Sequence, residues 1–298
     1  MNYYAVVDLG TNSARLMVAH IASGRVVSDF KTLRMIRIGE GMVEEGRIAP
    51  AAISRAVQAI REFQEIAARY DVGRHFFCFG TSAIREASNR GEFLHAVLEG
   101  CGVQVDVISG EDEASLGFAG SIEGYGGMFD IGGGSTEVMV GSMQDVWFRH
   151  SFLIGTVRCY GLFPGADNAN PEAFTAAHHH AAEIFSAIPD PGELSFTGIG
   201  GTATAIAAVD LALDTYDAAR VQGHVLSLER VQEICLMLES MTRAQRETIA
   251  GLEVKRADVA VFGAIIMLEF MKAVGAAHIT VSDSDNQEGY LALKLGLI

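Results

Sequence analysis

The feature that most constrains this 298-residue chain is an internal repeat. The segment D-L-G-T-N-S-A-R-L-M-V from Asp8 to Val18 recurs as D-I-G-G-G-S-T-E-V-M-V from Asp130 to Val140, with Asp, Gly, Ser, Met and Val in register. The copies lie 122 residues apart, a domain's length, so they mark a duplicated domain rather than a solenoid. In each, an apolar strand runs into a glycine-rich turn and out along a second apolar strand, the pattern of a β-hairpin. Gly10, Gly132, Gly133 and Gly134 allow positive φ and let N–H groups approach an anion, and the hydroxyls of Thr11, Ser13 and Ser135 add donors. Asp8 and Asp130, each closing a first strand, are natural ligands for Mg²⁺ through its waters. For a single copy the plain alternative is an ordinary hairpin turn, where Asp, Gly, Asn and Ser are the expected residues anyway. Two copies at domain spacing weigh against it.

The rest of the pattern predicts two α/β halves, residues 1–125 and 126–298, hinged in the glycine-dense stretch Glu123–Gly127. The first half reads as the hairpin, apolar stretches Val26–Lys31 and Leu33–Ile38, helix Pro50–Tyr70, strand His75–Phe79 and a loop Gly80–Arg85. Helix Gly91–Cys101, strand Val103–Ile108 and a helix opened by S-G-E-D-E-A at Ser109 complete it. The second half reads as its hairpin, helix Pro171–Ile188, strand Leu194–Thr197, a G-I-G-G-T loop and helices Ala203–Leu213, Ser227–Met241 and Ala257–Val274. Strand His278–Val281 follows, then a last helix Gln287–Leu295 able to pack back on the first half.

A net charge of −15 argues against a nucleic-acid polymer as partner, since that requires surplus Lys and Arg. No apolar run reaches a membrane helix's length, and the start MNYYAVVDLG has neither the basic region nor the cleavage site of a signal peptide, so a cytoplasmic protein without membrane partners is expected. Cys78, Cys101, Cys159 and Cys235 are scattered, which predicts reduced, mostly buried thiols. His178, His179 and His180 occupy consecutive helix positions that share no face, so the three cannot converge on one ion. G-I-G-G-T-A at Gly198–Ala203 fits a dinucleotide fingerprint, but Asp214 and Asp217 follow a helix rather than a second strand, and the loop reads better as a phosphate or nucleoside subsite. No P-loop motif is present, and the Met and Phe residues of Val261–Met271 read as core.

At this point the sequence resembles the exopolyphosphatase/guanosine pentaphosphate phosphatase (Ppx/GppA) family of the actin, hexokinase and Hsp70 superfamily. The family's first phosphate loop matches Asp8–Ser13 and its second, D-I-G-G-G-S-x-E, matches Asp130–Glu137. T-x-x-[IL]-R-x-A matches Thr81–Ala87, I-S-G-x-x-E-A matches Ile108–Ala114, and G-x-G-G-T matches Gly198–Thr202. R-A-D-V matches Arg256–Val259, and V-S-D with a following E-G matches Val281–Gly289. The sequence departs from the family at Gln287, where many relatives carry Arg in G-L-R-E-G. It is expected to stop after two actin-like domains, without the helical HD-type region that long members add.

The resemblance implies two duplicated actin-like (ribonuclease H-like) α/β domains with an active-site cleft between them. It implies Mg²⁺-dependent hydrolysis of the terminal phosphate of inorganic polyphosphate, of shorter chains, with or without K⁺, by a homodimer. It also implies Glu113 as general base; the residues alone do not rank Glu111, Asp112 and Glu113, whose bland reading is a helix's acidic first turn. Gly10, Thr11, Asn12, Ser13, Gly132, Gly133, Gly134, Ser135, Gly200, Gly201 and Thr202 are expected to hold phosphate, with Arg15 and Arg85 clamping its oxygens. Asp8, Asp130 and Glu137 are expected at the metal, against the bland reading of turn caps and, for Glu137, a solvent-facing strand position. The competing activity is hydrolysis of pppGpp. A non-catalytic actin-like nucleotide scaffold and a sugar or acetate kinase are the alternatives of other classes.

Overall fold

The structure is a computed structural model and describes residues 2–298. The chain forms two compact units: residues up to Gly120 together with Asn286–Ile298, and Ser121–Asp285.

In the first unit, strands β1 (Tyr3–Leu9), β2 (Ser13–Ala22) and β3 (Arg25–Met35) form an antiparallel meander, and the two apolar stretches expected after the hairpin are one strand. Helices α1 (Met42–Glu45) and α2 (Pro50–Ala67) lead to β4 (Phe76–Gly80), which pairs parallel to β1. The stretch expected as a loop after β4 is a short helix, α3 (Ser82–Glu86). Then come α4 (Arg90–Cys101), β5 (Asp106–Val107), much shorter than expected, and α5 (Gly110–Ser121). The sheet order is β3-β2-β1-β4-β5.

The second unit repeats this plan with β6 (Gly126–Ile131), β7 (Thr136–Gly141) and β8 (Val146–Phe152), then α6 (Thr156–Leu162) and α7 (Pro171–Phe185). Strand β9 (Phe196–Ile199) runs straight into α8 (Gly200–Asp210), so the glycine loop expected there is a strand end and a helix start. The unit closes with α9 (Ala218–Val221), β10 (Val225–Ser227), α10 (Leu228–Glu239), α11 (Arg243–Arg246), α12 (Ala260–Ala273) and β11 (His278–Val281). Its sheet, β10-β11-β9-β6-β7-β8, matches the first strand for strand with β10 added at an edge. Strand β8 and helix α6 have no counterpart in the sequence reading. No helix among the described residues is long and apolar enough to cross a membrane.

Strand alternation sorts each sheet into two faces. Ala5, Val7 and Leu9 point into one core with Ala52, Ala56, Ile60 and Phe63 of α2. Val6 points the other way, into a second cluster with Phe79, Leu116, Tyr290 and Leu291, and Asp8 lies on that side by its register. In the second unit Phe129, Ile131, Val138 and Val140 join the large core around α12, whose residues Val261–Met271 are all buried. All four cysteines are free thiols; burial raises Cys78, Cys101 and Cys235 and pushes Cys159 up to about 12.

The chain returns to the first unit in α13 (Asn286–Lys294). Gln287 spends its amide on the carbonyls of Val6 (2.8 Å) and Arg15 (3.2 Å), so it holds the helix to the sheet. Glu288 pairs with Lys31 at 2.8 Å, and Asp106 receives Tyr290 Oη and Lys294 Nζ, each at 2.6 Å. Gly289 is required by close approach, since a Cβ there would stand 1.9 Å from the Leu116 carbonyl of α5. Overpacking at this contact gives the expected outcome for Gly289→Ala: a loss of about 2–3 kcal/mol of stability. In thermal denaturation it reads as a midpoint lowered by several degrees; an unchanged midpoint would show that α13 does not bear on α5.

Candidate active site

The two repeat turns are the same object. Gly10 N donates to Ser13 O at 3.0 Å, and Gly132 N donates to Ser135 O at 2.9 Å. A Cβ at either glycine would stand 3.1 Å from that same carbonyl. In each unit the turn's carbonyls are claimed by the segment that follows the third strand. Ile36 N and Arg37 N donate to Asn12 O, and Gly39 N to Thr11 O. In the second unit Thr156 N donates to Gly132 O and the amides of Val157 and Arg158 to Gly133 O, while Arg158 Nε reaches Gly134 O at 2.8 Å. A turn whose carbonyls are spent in this way presents its amide groups as the donors a ligand would meet. Gly155 makes the approach possible, because a Cβ there would stand 2.5 Å from the Gly133 carbonyl carbon. Arg37 holds φ of 46°, a left-handed conformation rare for a side-chain-bearing residue, while serving the first turn.

The repeats differ in charge. Asp8 faces Arg15 across β1 and β2, and the Arg15 guanidinium pairs with the Asp8 carboxylate, its Nε 3.0 Å from Oδ2. At the equivalent register Asp130 faces Glu137, two carboxylates side by side and both buried. Glu137 is 1 % exposed, so the solvent-facing reading of this residue is ruled out; Ser151 Oγ donates to its Oε1 at 2.6 Å.

Asp130 is set by its neighbours in β9 and α8. Gly200, at φ of 73°, lies so close that a Cβ would stand 2.2 Å from Asp130 Oδ1. The Thr202 hydroxyl donates to Ile131 O at 2.7 Å and ties α8 to β6. Gly201 lies under the Arg256 guanidinium, where a Cβ would stand 2.5 Å from Nη1. Beyond them Ala205, Ile206, Val209, Ile234, Leu238 and Val259 line an apolar recess that Gly201, Thr202 and Arg256 border.

The structure separates the three acidic residues that open α5. Glu111 and Asp112 are exposed; Asp112 N donates to Ser109 Oγ at 3.0 Å, and the Ser109 hydroxyl donates to Asp112 Oδ2, so this residue serves the helix start. Glu113 is buried, and Arg85 Nη1 donates to its Oε2 and to Ile108 O, each at 3.1 Å. A buried carboxylate with a charge partner is costly to keep unless it is used or strongly paired, which sets Glu113 apart from its neighbours. Arg85, expected as a phosphate clamp, holds this carboxylate. Arg37 and Arg158, which serve the turns, were not singled out by sequence reasoning, because they lie outside both the repeat and the matched motifs.

The sequence pattern of the Ppx/GppA phosphatase family matches residues 17–296. Exopolyphosphatase 2 of Mycobacterium tuberculosis is 30% identical over 98% of this chain and 98% of its own length. A bifunctional 3-dehydroquinate synthase/phosphatase of Fusobacterium nucleatum is 29% identical over 96% of this chain, which spans 45% of that larger protein. Among solved structures, an exopolyphosphatase from Cytophaga hutchinsonii superposes with a TM-score of 0.87 at 26% identity, covering 99% of this chain and 98% of that one. The Aquifex aeolicus Ppx/GppA family member superposes with a TM-score of 0.81 at 27% identity, over 99% and 97% of the two chains. With its two α/β units, its duplicated glycine turns and this match over nearly its whole length, the chain belongs to the Ppx/GppA phosphatase family, of actin-like fold.

Proposed function

We propose that this phosphatase is an exopolyphosphatase that hydrolyses the terminal phosphoanhydride of short inorganic polyphosphate. The observation that carries the reading is the buried Glu113 held by Arg85 at the start of α5. Attack of water on a terminal phosphorus needs a carboxylate to take the proton, and the rest of the work is positioning and neutralising charge on phosphate oxygens. Glu113 is assigned as that base. Its proton comes from the attacking water, the bond from the terminal phosphorus to the bridging oxygen breaks, and orthophosphate leaves. A guanidinium has five N–H donors, so Arg85 can hold Glu113 and still meet a phosphate oxygen. The amides of Gly10–Ser13 and Gly132–Ser135 are assigned to phosphate oxygens, together with Arg15 and the Gly200–Gly201 backbone.

The carboxylates fit Mg²⁺, and one pair fits better. Asp130 and Glu137 are hard oxygen donors placed next to each other inside the protein, and two like charges so buried are stabilised by a cation. Asp8 is engaged by Arg15, so its part is to hold that arginine as much as to meet a metal's waters. When bound, Mg²⁺ would supply charge neutralisation of phosphate oxygens. The homodimeric form and any use of K⁺ belong to this proposal on the family resemblance alone, and a cytoplasmic location on the sequence expectation alone.

One observation bears on a second substrate, pppGpp: a small apolar recess of about 30 Å³ lies beside Gly201 and Thr202, with Arg256 at its border. The two substrates share the terminal anhydride and the same hydrolytic groups.

Phosphate release with Mg²⁺ from short polyphosphate, long polyphosphate, pppGpp and ATP tests the reading. Glu113→Gln is expected to lower release by about 10²–10⁴-fold with an unchanged thermal midpoint. Full activity in that variant would place the base elsewhere, and tight ATP binding without turnover of any substrate would favour the scaffold. Ala205→Phe fills the recess; it is expected to abolish pppGpp hydrolysis while sparing short polyphosphate. Equal loss on both would detach the recess from substrate choice.

A further inference from the structure

Far from the glycine turns in sequence, three helices of the second unit bring together a set of metal-ligating groups. His178 on α7 lies with Cys235 and Glu239 of α10, and one donor atom from each falls within 4.8 Å of the others. Cys235 and Glu239 stand at i and i+4, on one helix face. Of the three consecutive histidines only His178 turns inward; His179 is exposed and His180 packs edge-on against Phe163. His178 Nε2 is 2.7 Å from Glu239 Oε1, and Cys235 Sγ is 3.7 Å from that same oxygen.

The other ring nitrogen is already engaged. His178 Nδ1 lies 2.7 Å from Glu269 Oε1, a residue of α12 that Lys272 also reaches at 2.8 Å. This is the arrangement in which a carboxylate fixes a ligating imidazole and turns its free nitrogen toward a metal. We infer that His178 Nε2, Cys235 Sγ and Glu239 form a binding site for a divalent cation of the Zn²⁺ class, with Glu269 as the group that orients His178.

Chemistry and geometry agree. A mixed sulfur, nitrogen and oxygen donor set suits a borderline-soft ion such as Zn²⁺ and not Mg²⁺. Thiolate and Glu239 carboxylate together balance a divalent charge, while Glu269 is balanced by Lys272. In a tetrahedron with 2.0–2.3 Å bonds, ligand atoms stand roughly 3.3–3.8 Å apart, so the cluster needs shifts of about 1 Å or less to close on an ion. The His178 side chain is 27% exposed, which gives the ion a way in and leaves a fourth position for water.

Without metal the same residues form an imidazolium held between carboxylates, where contacts with Cys235, Glu239 and Glu269 push the ring up to about 11. A metal would displace the Nε2 and thiol protons. The two states differ in what they predict.

The test is titration of the untagged, chelator-treated full chain with Co²⁺, read by absorption. One equivalent is expected to give a thiolate-to-cobalt charge-transfer band that saturates. The band should be absent in Cys235→Ser and in His178→Phe, and Glu269→Gln should weaken binding by about 10–100-fold, the usual effect of losing such a partner. Because Cys235 is buried, a second measurement covers variants that fold poorly. Zn²⁺ is expected to raise the thermal midpoint of the wild type, but not that of His178→Phe, whose circular dichroism should match the wild type. No band, a band that persists in Cys235→Ser, or an equal Zn²⁺ shift in wild type and His178→Phe would each overturn the assignment.

Discussion

The geometry of the two glycine turns depends on how their peptide carbonyls are satisfied. A hairpin turn of glycine and hydroxyl residues can face a ligand with either its N–H or its C=O groups. Here the choice is made from outside the turn: amides of Ile36–Gly39 in one unit, and of Thr156–Arg158 in the other, take the carbonyls. A third antiparallel strand is needed to bring each of those segments round, so the meander at the edge of each sheet is a device for aiming backbone amides. The shared Gly N to Ser O bond then fixes the width of the loop.

Duplication kept this scaffold and changed its charge. The residue facing the strand-end aspartate is Arg15 in the first unit and Glu137 in the second. The first pair joins opposite charges, whereas the second sets two carboxylates opposite each other in a buried place. The proposed base lies outside the repeat: Glu113 comes from the helix after β5, and the short α3 following β4 carries the arginine that holds it.

Much of this could be read from residues, for definite reasons. The hairpins were legible because glycine, aspartate and period-2 apolar runs leave few options, and the repeat doubled their weight. The segments behind the turns were not, because Ile36–Gly39 and Thr156–Arg158 act through backbone amides and therefore share no side-chain signature. Glu113 could be separated from Glu111 and Asp112 only by burial, a property of the α5 docking rather than of the acidic run. The sequence also argued that three adjacent histidines share no face, and they do not; what it could not show was that one of them meets residues 57 and 61 positions further along. Gln287, noted in the sequence only as a departure from the family pattern, bonds α13 to two strand carbonyls.

That helix has a consequence for how the chain is made. Val6, Met17, Phe79 and Leu116 in the first unit are covered by Tyr290 and Leu291, yet the whole second unit is encoded between α5 and α13. As the chain leaves the ribosome, the opening unit therefore waits with one apolar sheet face bare while its neighbour is being synthesised. The last step of its assembly is the arrival of α13, so the order of translation makes the first domain to be started the last to be finished.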